Sequence, residues 1–288
     1  MSAVGNLRVG ALVLPTTPWH RQRDHWRLAE ELGFHHAWTF DHLAWAGMPG
    51  EPWGAAVPTL TAAACATDRI RLGTLVSSPN FREPVTFAAE LATLDEISGG
   101  RVQVGLGAGV NGTDSTALGH PARSGAERMA HLERFVHALD ALLSGRGGLS
   151  LPSAQHPRLP FAISGAGPRG LDLAVGFADT WVTNGFSARP GVEAPAASPA
   201  VVADQLARLD EVCARHGRDP KSLRRLLLYV NRGESALSGV DTFLTELRSY
   251  AEAGITDVVF PFPDRNSPFR VAAELPREVA RLVGLSPE

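Results

Sequence analysis

Thr39-Phe40-Asp41-His42 closes an apolar run and sets a carboxylate beside an imidazole where a strand would end. An imidazole donates hydrogen bonds and moves protons near neutral pH, so His42 is a candidate general acid or base. The same residues also suit a loop in which His42 caps the strand beside Asp41. Further along, Gly105-Leu106-Gly107-Ala108-Gly109 puts glycine at alternate positions, which permits close backbone approach to a ligand or a tight exit from a strand. It lacks the spacing of a dinucleotide fingerprint, and no clear helix opens directly behind it. Ser164-Gly165-Ala166-Gly167-Pro168-Arg169-Gly170 offers different chemistry. Its small residues leave N–H groups uncovered, Pro168 suits the first turn of a helix, and Arg169 adds charge. An anion such as phosphate is favoured there, with a plain Gly/Pro turn as the alternative.

Other chemistries lack their residues. The sequence has no His-Glu-x-x-His, no Cys-x-x-Cys and no Walker glycine loop, and Ala162-Ile163-Ser164-Gly165-Ala166 lacks the flanking glycines of a nucleophile elbow. No metal site is expected. Lys221 is the only lysine, and arginine cannot form a Schiff base, which removes most aldolase chemistry. Cys65 and Cys213 sit far apart in apolar stretches and read as core thiols. The formal net charge of −3, with no basic stripe, argues against a nucleic-acid partner. No segment has the length of a membrane span, and the apolar run from Arg8 to Leu14 lacks the flanks of a signal peptide. A cytoplasmic protein acting on a small-molecule substrate is expected, with no membrane partner.

These residues need elements to hold them. Short apolar runs at 7–14, 36–40, 70–77, 102–106, 161–164, 180–183, 226–230 and 257–260 read as strands. Their apolarity is continuous, as in parallel strands covered on both faces. Helical patterns lie between them at 19–32, 84–97, 127–143, 199–213 and 239–253. Eight strand–helix repeats without a second compositional block predict an α/β fold, a (β/α)8 TIM barrel forming a single domain over residues 1–288. A doubly wound open sheet is the structural alternative. All three candidate motifs then leave the carboxyl ends of strands, where barrels build their sites. Long loops are expected at 111–124 and 185–198 on that face, the second mobile because it is rich in Pro, Ala and Gly. Tryptophans 19, 38, 45, 53 and 181 would line an aromatic pocket or fill the core.

With these motifs placed, the chain resembles the bacterial luciferase-like monooxygenase family, and in particular its branch of oxidoreductases dependent on coenzyme F420. Ala37-Trp38-Thr39-Phe40-Asp41-His42, then Arg69-Ile70-Arg71-Leu72-Gly73-Thr74-Leu75-Val76, carry the first half of the resemblance. Ala92-Thr93-Leu94-Asp95-Glu96-Ile97-Ser98-Gly99-Gly100-Arg101 running into Gly105–Gly109, and Ser164–Arg169 with Ala178-Asp179-Thr180-Trp181, carry the second. The resemblance implies a luciferase-like barrel that binds either the deazaflavin F420 or FMN. It implies that His42 faces the reactive ring centre and that Asp41 shares its pocket. It further implies a non-proline cis peptide between Leu75 and Val76, with Ser77 beside it, supporting the ring. Gly107, Ala108 and Gly109 would flank the coenzyme side chain, and Gly165, Ala166, Gly167, Pro168 and Arg169 would clamp its phosphate. Sugar-phosphate dehydrogenases of this kind carry a catalytic glutamate where Val110 stands, which argues against that activity here. The segment between Leu143 and Pro160 is also shorter than in many relatives.

F420 is a two-electron hydride carrier, whereas reduced FMN reacts with oxygen. The Trp38…Asp41-His42 strand end and the Ser164–Arg169 loop are more similar to the deazaflavin branch. The expected activity is hydride transfer between F420 and a small organic substrate, with His42 catalytic. An FMNH2-dependent monooxygenase is the first alternative and a non-catalytic coenzyme-binding protein the second. A non-flavin phosphate-binding barrel is a third. Self-association into a homo-oligomer is compatible with such a barrel.

Overall fold

Strand-forming runs with both faces apolar need cover on both sides, and a closed barrel wrapped by helices provides it. The computed structural model describes residues 7–186, 198–230 and 236–285. Eight parallel strands close in sequential order, with β1 (Arg8–Leu12) pairing both β2 (His36–Thr39) and β8 (Asp257–Pro261). Between them run β3 (Arg71–Ser77), β4 (Val102–Leu106), β5 (Phe161–Ser164), β6 (Thr180–Thr183) and β7 (Arg224–Leu228). The open sheet is thereby excluded.

The expected helices form as α1 (Trp19–Glu31), α3 (Pro84–Ser98), α5 (Gly125–Leu143), α7 (Pro199–Arg215) and α8 (Val240–Ala253), with α2 (Ala56–Ala66), α4 (Thr113–Thr116), α6 (Pro168–Phe177) and α9 (Leu275–Val283) in addition. Helix α2 escapes periodicity because its Ala-rich sequence buries Ala56, Val57, Leu60, Ala63 and Ala64 with no charged face opposite. Strand β7 begins two residues before the expected start. Arg224 and Arg225 mask its apolar pattern, since their heads reach Asp257 and Asp210 while their backbones stay in the ladder.

Alternate strand residues divide the core into two parts. Val9, Ala11, Ala37, Leu72, Val104, Phe161, Trp181 and Val258 pack in the outer layer with the helices. Leu12, Trp38, Ala162, Val182, Leu226 and Val259 pack in a second cluster that includes the cavity-lining Phe40 and Leu75.

The other end of these strands holds a buried polar group. Trp38 Nε1–H donates to His36 Nδ1 at 2.8 Å, so His36 carries its proton on Nε2, 3.2 Å from Asp257 Oδ1. Arg8 and Arg224 face the same carboxylate. Burial holds the His36 imidazole below its usual range, and the hydrogen bond and charge of Asp257 only partly oppose this. Burial holds His25 and His35 low as well. A histidine whose folded pKa is depressed favours the unfolded chain once pH drops below the unfolded value of about 6.5, because only the unfolded chain takes up the proton. The urea midpoint should therefore fall between pH 7.5 and 5.5, each such group contributing at most about 1.4 kcal/mol per pH unit. His36→Gln should flatten that slope. An unchanged midpoint in the wild type would refute the assignment.

Candidate active site

At the carboxyl ends of the strands lies a cavity of about 720 Å³, within the range of small-molecule and cofactor sites. Phe40, Leu75, Val182, Leu228 and Val230 form much of its apolar wall. Trp45 and Phe269 complete an aromatic side with Phe40, their rings 5.3 to 5.8 Å apart.

His42 lines this cavity directly after β2. Its Nδ1 lies 2.6 Å from Asp114 Oδ2, and Asp114 Oδ1 accepts the Leu43 N–H at 2.8 Å. One largely buried carboxylate therefore fixes both the ring and the loop that bears it. With Nδ1 engaged, Nε2 is the nitrogen left for a ligand. Asp114 was not visible as a site residue in the sequence. It sits on α4, inside the 111–124 segment read as a loop, and 72 positions separate it from His42.

The Leu75–Val76 peptide is cis, as the resemblance implied. The β3–β4 register shifts between Thr74 and Ser77, and Leu75 and Val76 line the cavity. This irregularity accounts for Gly105 in β4 and for Gly107 just after it. A Cβ at Gly105 would lie 2.1 Å from the Thr74 carbonyl oxygen, and one at Gly107 would lie 2.6 Å from Val76 Cγ2. The glycines admit the neighbouring strand, which corrects the expectation that they admit a ligand. Gly109, at φ +63°, does reach the cavity, while Ala108 packs against the core.

Asp41 and Ser77 differ from expectation. Neither is among the residues lining the cavity. Asp41 is 1% exposed, and Arg82 grips it at 2.7 and 3.0 Å while Ser77 Oγ donates to it at 2.6 Å. The buried Asp41 carboxylate is thus spent on its charged partner and on Ser77, and Asp41 bears on His42 only through the chain, as the residue before it.

The second glycine loop is also divided. Ser164 lines the cavity, and Gly165 meets Gly170 so closely that a Cβ on Gly165 would lie 2.9 Å from the other's Cα. Trp181 Nε1–H donates to the Gly165 carbonyl at 2.8 Å, fixing the loop. Gly167 is the N-cap of α6, Pro168 opens the helix, and no side chain caps it. A Cβ at Gly167 would meet nothing, so Ala166 and Gly167 lead into open space at an uncapped helix N-terminus, a fit for phosphate. Arg169 is not directed there. Its guanidinium is paired with Glu133, at 2.8 Å for Nε to Oε1.

Of the tryptophans, Trp45 lines the cavity and Trp53 meets His42 edge-on and Trp45 at a tilt, whereas Trp38 and Trp181 are core. Trp19 lies at the surface. Val110 is 64% exposed at the cavity edge, placing an aliphatic side chain there. Residues 187–197 of the second long segment, expected to be a mobile loop, lie outside the described residues. Among the described residues no helix is long and apolar enough to cross a membrane, and no three His, Cys, Asp or Glu gather as metal ligands.

The chain is thus a closed (β/α)8 barrel whose largely apolar cavity carries a histidine beside a non-proline cis peptide. Residues 6–236 match the model of the luciferase-like monooxygenases, and the chain belongs to that family. A F420-dependent glucose-6-phosphate dehydrogenase of Beutenbergia cavernae is 38% identical over 119 residues, covering 41% of this chain and 35% of that one. A 5,10-methylenetetrahydromethanopterin reductase of Methanolobus tindarius is 26% identical over 262 residues, covering 88% and 72%. The solved structure of an F420-dependent secondary alcohol dehydrogenase superposes with a TM-score of 0.73 at 19% identity, covering 98% of both chains, a likeness of fold.

Proposed function

We propose that this protein is an oxidoreductase that uses coenzyme F420 to transfer a hydride to or from a small organic substrate. The observation that carries the reading is the His42–Asp114 pair on the wall of an otherwise largely apolar cavity beside Leu75 and Val76. The F420-dependent dehydrogenase among the relatives supports the choice of coenzyme. When bound, the deazaflavin supplies a ring that carries two electrons as hydride. Leu75 and Val76 would hold that ring, Gly109 its side chain, and the α6 N-terminus at Ala166, Gly167 and Pro168 its phosphate. His42 Nε2 would hold a proton for a substrate oxygen, and Asp114 would keep Nε2 turned toward it. Phe40, Trp45 and Phe269 would exclude water.

Titrating the purified protein with F420 and with FMN tests this. F420 should bind at least about tenfold more tightly, a gap of about 1.4 kcal/mol. The reverse order would replace the reading with an FMNH2-dependent monooxygenase on the same barrel. F420 binding with no turnover across alcohols, ketones and enones would favour the non-catalytic alternative.

A further inference from the structure

The end of the barrel opposite the cavity carries cations that neither the fold nor the proposed chemistry pairs off. Arg8, Arg71 and Arg224 stand on β1, β3 and β7 beside Val9, Leu72 and Leu223 of the outer layer. Alternation along each strand therefore turns the arginines to the inner side, at the amino-terminal floor of the barrel. The register sets Arg8 beside Asp257, Arg71 beside His36 and Arg224 beside Thr180.

Among the described residues Asp257 is the one carboxylate that meets them, and it is already engaged. His36 Nε2 lies 3.2 Å from its Oδ1, and Thr256 Oγ1 donates to its Oδ2 at 2.7 Å. The guanidiniums of Arg8 and Arg224 stand off at 3.6 and 3.9 Å, beyond hydrogen-bond reach. Neither head makes a hydrogen bond among the described residues, and Arg71 makes a single long one, to Gln155 at 3.4 Å. Other carboxylates close by have partners of their own: Asp179 has Arg158, Asp210 has Arg225, and Asp95 holds residues 153–155.

The balance of charge is therefore positive. Burial holds His35 and His36 below their usual range, so three guanidiniums face one carboxylate. Burial also holds the Arg8 guanidinium low; Asp257 opposes this, and the like charges of Arg224 and Arg71 add to it. The cations are what solvent meets, since the Arg8 and Arg224 side chains are 27% and 40% exposed against 3% for Asp257. Guanidinium forks match the oxygens of a tetrahedral anion, and an acceptor among them would relieve their mutual repulsion.

We infer that Arg8, Arg71 and Arg224 form a binding site for a free tetrahedral dianion, phosphate or sulfate, at the floor of the barrel. A dianion there balances the two positive charges that Asp257 leaves. The site lies at the far end of the strands from the cavity, so it stands whether or not the coenzyme reading does.

The test uses the full chain, with Arg8→Gln and Arg224→Gln made separately. Thermal melts are read as inorganic phosphate replaces sodium chloride at constant ionic strength. The wild-type melting temperature should rise, and the rise should shrink at least about twofold in each variant, because an anion stabilises only a fold that binds it. Any phosphate held at the α6 N-terminus contributes alike to all three proteins and cancels in the comparison. Wild-type crystals soaked in sodium tungstate give a reading that does not depend on a variant folding. An anomalous peak should lie within hydrogen-bond reach of Arg8 and Arg224. No rise in the wild type, equal rises in all three proteins, or tungstate peaks only away from the floor would each overturn the site.

Discussion

Replacing His42 with alanine should lower turnover about 10²- to 10⁴-fold, the range that a positioned acid–base side chain contributes. The fold should survive, because the His42 side chain is 25% exposed on the cavity wall and belongs to neither buried cluster. Asp114→Asn should reproduce part of the loss with the histidine still present. Hydrogen bonds to charged groups contribute roughly 1.5–3 kcal/mol, so a loss of about ten- to a hundredfold is expected. It should fall on kcat, with KM little changed, since Asp114 acts through the orientation of the ring rather than by holding substrate. Steady-state kinetics of both variants, alongside unchanged circular dichroism, would check this. Wild-type turnover in His42→Ala would remove the residue from the mechanism, and wild-type kcat in Asp114→Asn would remove the positioning role.

Arg82→Ala should be the most damaging single change to stability among the site's supports. Asp41 is fully enclosed, and Arg82 binds it in two places while also lying 4.9 and 5.0 Å from the Phe81 and Phe87 rings. Removing one partner of a buried ion pair leaves an uncompensated charge and costs about 3–5 kcal/mol. Burial alone would lower the Arg82 pKa, but the Asp41 hydrogen bonds and charge raise it above its usual value, so the guanidinium stays charged. Asp41→Asn in the Arg82→Ala background should recover part of the loss, because the orphan charge is gone. Urea denaturation of the two singles and the double closes the cycle. Additive losses would mean that the two side chains are not coupled. Because Asp41 immediately precedes His42, Arg82→Ala should also loosen coenzyme binding in whatever fraction remains folded.

Much of the frame was legible in the chain. β4, β5 and β6 have the expected limits, since short apolar runs bounded by Gly and polar residues leave little choice of register. β7 was displaced because arginines at its start hide a backbone that is already paired. The α2 helix, buried with weak periodicity, and the one-turn α4 gave no usable signal. Position after β2 was enough to bring His42 to the cavity, and the Gly167–Pro168 pair was enough to mark a helix start with open N–H groups.

The sequence by itself determined that strands and helices alternate, that His42 and the Ser164–Gly170 loop stand at strand ends, and that the chain has the family's motifs in order. Those are local properties, set by residue types over a few positions. The partners were decided only by the tertiary structure. Asp114 reaches His42 across 72 positions, Arg82 takes Asp41 across 41, and Glu133 takes Arg169 across 36. No local rule selects among the arginines and carboxylates of this chain, because closing the barrel and folding its loops is what brings particular ones within a few ångströms. So His42 was identified as a candidate from its position, and its ring was oriented by a residue that only the folded chain supplies.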